Sequence, residues 1–226
     1  IQALGVAVST LPVPDMVCGL ISEHQQSNPR PLRAGGTVGV NLIPFNSPNY
    51  WVGANQDRYK HYIRFMAEFV EWLLQRGNKV VLFPTQLTLD IEVIKDLREA
   101  LNPRWKEAEG LAEASVKSVD DLLAVLSGVD VVVASRFHGL IFSMLLEKLV
   151  LGIAYAEKTE DLMTYMGQKD FVLDITSLEI SQIQQTFGRL KRGSRTFDPC
   201  CRGGFLGPDV LWRVNLMQPL GCWDRL

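Results

Sequence analysis

The chain has 226 residues, of which 47% are hydrophobic and 21% charged, and its formal net charge is −2. That length supports one large or two small domains with a substantial core. The near-neutral charge leaves no basic surplus for nonspecific nucleic-acid binding, so any anion site has to be local.

Residue 1 is Ile, which suggests a processed chain or a fragment, and nothing near it has the charged head and apolar core of a signal peptide. Residues 4–8 (Leu-Gly-Val-Ala-Val) read as the last strand of a preceding domain, and residues 11–15 as an extended segment stiffened by proline. Residues 22–36 are polar and rich in Pro, Asn and Gly, as linkers are. Residues 1–36 are therefore expected to be a remnant plus linker, with a domain over 37–192.

Within that domain, residues 37–44 predict a strand ended by Pro44 and an Asn-Ser-Pro-Asn loop. Residues 56–76 predict a helix whose apolar face is Tyr62, Met66, Phe69, Val70 and Leu73, stopped by Gly77-Asn78. Residues 79–84 predict a second strand, and residues 90–101 a helix with Asp90 as N-cap or first-turn carboxylate. Residues 102–118 are polar and predict no element, while residues 119–126 predict a short helix entered through acidic residues. The valine run at 130–134 reads as a buried parallel strand, a helix starts within 135–139, and residues 149–154 form the next strand. The longest apolar region, residues 129–154, is broken by Arg136, His138, Glu147 and Lys148, which argues against a membrane span there. A helix over 158–166, a strand over 171–173 and a helix over 177–190 complete the pattern. Alternation of this kind predicts an α/β, doubly wound, mostly parallel Rossmann-like sheet. Residues 193–226 follow neither period and are expected to be an irregular tail.

The chemistry concentrates where the valine strand ends. Open α/β sheets place ligands at that edge, and Ser135, Arg136, Phe137, His138 and Gly139 occupy it. Backbone N–H groups at a helix start carry partial positive charge, Arg136 adds a fork suited to phosphate or carboxylate, and His138 exchanges protons near neutral pH. Gly139 removes a side chain where a ligand or backbone comes close. The plainer account pairs Arg136 with a surface carboxylate and makes His138 a hydrogen-bonded core residue. Cys18, Cys200, Cys201 and Cys222 form no CxxC pair and have no histidine at ligand spacing, so no metal site is expected. Reduced thiols in a cytosolic chain are the default, with the state of Cys200, Cys201 and Cys222 open.

The block Asp-Val-Val-Val-Ala-Ser-Arg-Phe-His-Gly-Leu-Ile from Asp130, followed by Val-Leu-Gly-Ile-Ala-Tyr-Ala-Glu-Lys ending at Lys158, resembles the polysaccharide pyruvyl transferase family. The shared pattern is an Asp, an apolar strand, Arg-x-His-Ala/Gly, an apolar helix, and a strand followed by Tyr and Lys. The resemblance implies one half of a glycosyltransferase-B-type two-domain fold, with the site between domains. It implies that the enolpyruvyl unit of phosphoenolpyruvate passes to two sugar hydroxyls as a ketal, in surface-polysaccharide biosynthesis. It assigns Arg136 to the donor's phosphate or carboxylate and His138 to proton transfer or donor binding, with Ser135 and Gly139 beside them.

Lys158 matches the family's lysine, against the reading of a solvated helix-start residue. Tyr155 is either a ligand contact or a cap on the sheet edge. Asn41 lies beside the crevice, against the reading of an exposed turn-forming Asn. Some members carry Arg where this chain has Ile43, one candidate cation fewer for the donor. The implied partners are phosphoenolpyruvate, as substrate rather than cofactor, and a saccharide or lipid-linked saccharide acceptor. The expected location is cytoplasmic, with the inner face of the membrane as a second expectation. Two rivals stand beside this reading: a glycosyltransferase using a nucleotide sugar, and a truncated, non-catalytic remnant. Dinucleotide binding is not expected, because no GxGxxG follows a strand.

Overall fold

A strand that is apolar on both faces needs helices on both sides of its sheet, and the valine-rich segments of this chain meet that need. The computed structural model describes residues 35–192, Val52 apart. Six strands form one sheet: β1 (Thr37–Asn41), β2 (Lys79–Leu82), β3 (Leu111–Glu113), β4 (Val131–Ala134), β5 (Leu149–Ala154) and β6 (Val172–Asp174). Every pairing is parallel. The helices are α1 (Gln56–Gln75), α2 (Leu89–Ala100), α3 (Pro103–Lys106), α4 (Val119–Ser127), α5 (Phe137–Leu145), α6 (Glu157–Tyr165) and α7 (Ile180–Arg192).

In space the strands run β3-β2-β1-β4-β5-β6, so the chain winds outward in opposite directions from β1 and β4. Side chains alternate across the sheet with a period of two. Val131 and Val133 join the cluster of Phe69, Leu97 and Phe187, while Val132 and Ala134 join that of Leu126, Leu140 and Met163. Helices α1, α2 and α7 therefore cover one face, and α4, α5 and α6 the other. This is the doubly wound, Rossmann-like sheet that the strand–helix alternation predicts.

Helix α1 shows how local sequence sets its own limits. The Asn55 side chain accepts from the Arg58 N–H at 3.0 Å and caps its start. At its end Gly77 takes φ of 74°, and the Gly77 and Asn78 amides turn back to Leu74 O (2.9 Å) and Leu73 O (3.1 Å). That is a Schellman closure, which Gly permits because it lacks a Cβ. The expected apolar face of Tyr62, Met66, Phe69, Val70 and Leu73 is buried throughout.

Several boundaries differ from expectation. The first strand stops at Asn41 rather than residue 44, because the Phe45 amide turns back to Ile43 O at 2.8 Å and Pro44 has no donor. Residues 102–118 hold α3 and the edge strand β3, in which only Leu111 is buried, too little alternation for a periodic signal. Asp90 is not the N-cap of α2; that position is Thr88, and Asp90 lies in the first turn. The expected strand remnant, most of the linker, the tail and all four cysteines lie outside the described residues. No helix of the described residues is long and apolar enough to cross a membrane.

Candidate functional site

Where strand order reverses, the connecting loops diverge and leave a crevice at the carboxyl ends of two neighbouring strands. Those strands are β1 and β4, with Asn41 paired to Ala134 at the last rung. The chain leaves β4 there through Ser135 and Arg136, and Phe137 opens α5.

Asn41 is fully buried, which corrects the exposed-turn reading of it. Its Oδ1 accepts from the Arg136 N–H at 3.2 Å, its Nδ2 donates to Phe83 O at 3.0 Å, and its carbonyl accepts from the Ser135 N–H at 3.0 Å. It thereby ties the ends of β1, β2 and β4 together. A Cβ on Gly139 would lie 2.9 Å from Asn41 Oδ1 and 3.4 Å from Ala134 Cβ. Glycine is what lets the first turn of α5 rest on this clamp. Ser135 is also fully buried, with its Oγ 3.0 Å from the Tyr62 hydroxyl. The Ile43 N–H donates to that same hydroxyl at 3.5 Å, and burial pushes the Tyr62 phenol up to about 12.

Arg136 is braced from beneath. Its Nε and Nη2 donate to Asp90 Oδ1 at 2.9 and 2.5 Å, and Nη2 also donates to Gln86 Oε1 at 2.7 Å. Asp90 Oδ2 accepts from Thr85 N and Gln86 N, both at 2.9 Å, and from Thr85 Oγ1 at 3.3 Å. The partner of Arg136 is thus a carboxylate of 0% exposure rather than the surface one that the plainer account supposed. A buried carboxylate persists only with this density of donors around it. Arg136 keeps Nη1 without a hydrogen-bond partner among the described residues, and its side chain is 15% exposed.

His138 is exposed in the first turn of α5, not a core residue, with its ring edge-on to Phe137 at 6.1 Å. Lys158, in the first turn of α6, reaches the same edge. Its Nζ sits 5.3 Å from the Phe137 ring and 5.7 Å from the Tyr155 ring. Tyr155 is half-buried and meets the edge of Trp51 at 6.1 Å. No side chain caps α5 or α6, whereas Asn55 caps α1 and a Ser118–Asp121 capping box closes α4. Two helix starts therefore reach one edge without a side-chain bond from their own N-cap residues, that of α6 carrying Glu157 and Glu160 in its first turn.

The expected residues fall into two groups. His138, Lys158, Tyr155 and the tip of Arg136 line the edge, while Asn41, Ser135 and Gly139 build its floor. Asp90, Gln86 and Tyr62 were not expected there. Asp90 stands out in the sequence as a helix-start carboxylate, but its bond to Arg136 spans 46 residues and has no local signature.

No match was found among curated protein sequences. The solved structure of the E. coli ADP-heptose lps heptosyltransferase II is similar, with a TM-score of 0.51 and 15% identity over 80% of this chain and 53% of that one. This chain thus spans about half the length of that structure, and the likeness at this identity is one of fold. It agrees with the expected half of a glycosyltransferase-B-type arrangement. The family model described as polysaccharide pyruvyl transferase matches residues 2–157, well over half the chain, including Asn41, Arg136, His138 and Tyr155 and ending just before Lys158. The chain belongs to the polysaccharide pyruvyl transferase family.

Proposed function

We propose that this chain contributes one wall of a site that transfers the enolpyruvyl unit of phosphoenolpyruvate to two hydroxyls of a sugar. The observation that carries this reading is the exposed His138 on an uncapped helix start, two residues from a braced Arg136, at the sheet's switch point. One sugar hydroxyl adds to the enol carbon while a proton goes to the methylene carbon, which becomes a methyl group. The second hydroxyl oxygen then bonds to the same carbon as the carbon–oxygen bond to phosphate breaks, and the proton of that hydroxyl leaves on the phosphate as hydrogen phosphate. The steps need an acid–base group and cations facing the phosphate. His138 supplies the first. Arg136 Nη1, the start of α5 and Lys158 supply the second.

The test is ketal formation by the complete protein, followed by mass spectrometry. His138→Ala is expected to abolish the product while shifting the thermal midpoint by no more than about 1–2 °C, as for an exposed side chain. Unchanged turnover would sink the assignment of His138. Thermal stabilisation by nucleotide sugars but not by phosphoenolpyruvate would replace the donor and favour a glycosyltransferase. Stabilisation by neither would favour a non-catalytic remnant.

A further inference from the structure

At the opposite edge of the sheet, where β1 and β2 begin, the last turn of α1 and the length of α7 from Ser181 to Arg192 line a groove of about 670 Å³. Arg76, Arg189, Lys191 and Arg192 line it, and among the described residues no carboxylate does. Elsewhere Arg98 pairs with Glu107 and Glu113, and Arg136 with Asp90. Among the described residues the groove cations meet neutral groups. The Arg76 guanidinium lies 4.7 Å over the Trp72 ring. Lys191 Nζ donates to Asn78 Oδ1 at 3.0 Å and sits 5.6 Å from the Phe187 ring. Arg189 Nη2 donates to Asp170 O at 3.2 Å and Thr186 Oγ1 at 3.4 Å. Arg192 covers bare backbone: a Cβ on Gly188 would lie 3.6 Å from its Nη1. None of the four makes an ion pair among the described residues.

Helix dipoles account for only part of this charge. A helix carboxyl end carries about half a negative charge, so two of them offset about one of the four cations. A surplus of about three remains in a chain whose net charge is −2. Like charges gathered and pinned in this way lower the ordering cost of meeting an anion with several charges.

We propose that the groove binds an acidic saccharide chain, its guanidinium forks meeting carboxylates and the amides of Gln184 and Gln185 meeting sugar hydroxyls. A carboxylate matches the planar fork of arginine. A lipid surface fits less well, since among the described residues the exposed large apolar side chains Tyr50, Leu87, Ile91, Val119 and Tyr165 all lie outside the groove and offer it no wedge. That the bound polymer carries pyruvate ketals rests on the proposed transferase reading. The groove would then hold repeat units already modified while the switch-point edge works on the next.

The experiment is calorimetric titration of the complete protein, without donor, using fragments of a ketal-bearing hexose polymer. The same fragments after mild-acid removal of the ketal, and vesicles containing phosphatidylglycerol, are the comparison arms. The intact fragments are expected to bind in a salt-sensitive way, with affinity falling about tenfold or more when the ketals are removed. Arg76→Gln with Arg192→Gln should lower it by a similar factor while leaving the thermal midpoint in place. Equal affinity with and without ketals, indifference to the double substitution, or binding to vesicles alone would each overturn the proposal. A protein that binds the fragments but forms no ketal would refute the transferase reading and leave the groove assigned.

Discussion

Replacing Asp90 by Asn keeps the side chain's shape and removes its charge, which makes it the sharpest probe of the candidate site's foundation. Asp90 accepts five hydrogen bonds, three from Thr85 and Gln86 and two from Arg136. An amide nitrogen in place of either oxygen points a donor at other donors, whichever way it turns. Hydrogen bonds to charged groups contribute about 1.5–3 kcal/mol each, and breaking a buried ion pair costs about 3–5 kcal/mol. The Arg136 side chain keeps 15% exposure and recovers some hydration, which places the expected loss near the lower bound, about 3 kcal/mol. Urea unfolding followed by tryptophan fluorescence measures it, with an unchanged slope showing that the denatured state is the same. A double-mutant cycle with Arg136→Met should give a coupling of about 2 kcal/mol or more. A loss below about 1 kcal/mol, the value of a surface pair, would refute the claim that Asp90 is a buried brace.

Two further outcomes follow from the same geometry. Tyr62→Phe removes a buried hydroxyl that meets Ser135 Oγ and the Ile43 N–H, and should cost about 1–2 kcal/mol at neutral pH. The Tyr62 phenol titrates at about 12 in the folded chain against 10.0 when unfolded, so its contribution is complete below pH 10 and is lost as pH rises toward 12. Stability measured across that range should therefore fall less steeply in Tyr62→Phe than in the parent, and parallel curves would contradict the burial argument. Gly139→Ala should destabilise by about 1–3 kcal/mol through overpacking against Asn41, outweighing the helix-propensity gain of about 1 kcal/mol. A thermal midpoint at or above that of the parent would show that α5 has room to move.

The proposed division of labour explains why the edge is built as it is. A site that binds a phosphate ester needs donors that do not move when the ligand arrives. Arg136 is a long, flexible side chain, and on a solvated surface it would lose rotamer freedom on binding. Asp90 and Gln86 have already fixed it through Nε and Nη2. His138 and Lys158 lie outside that brace and are exposed to solvent.

Much of the fold was legible because its signals are local. The valine run at 131–134 and the three- and four-residue apolar steps of α1 are periodic in the sequence, and each dictates an element without reference to the rest of the chain. The position of Arg136 and His138 at a strand's carboxyl end followed directly, as did the stop at Gly77. Edge strand β3 was missed because one buried residue carries no period. What only the tertiary structure decided is which distant residues meet. The order β3-β2-β1-β4-β5-β6 brought Asn41 against Arg136 across 95 residues and Asp90 beneath it across 46. The same packing set Lys191 beside Asn78 across 113 residues, opening a basic groove that no short motif announces. Periodicity belongs to neighbours along the chain, whereas a clamp, a buried ion pair and a charged groove belong to neighbours in space.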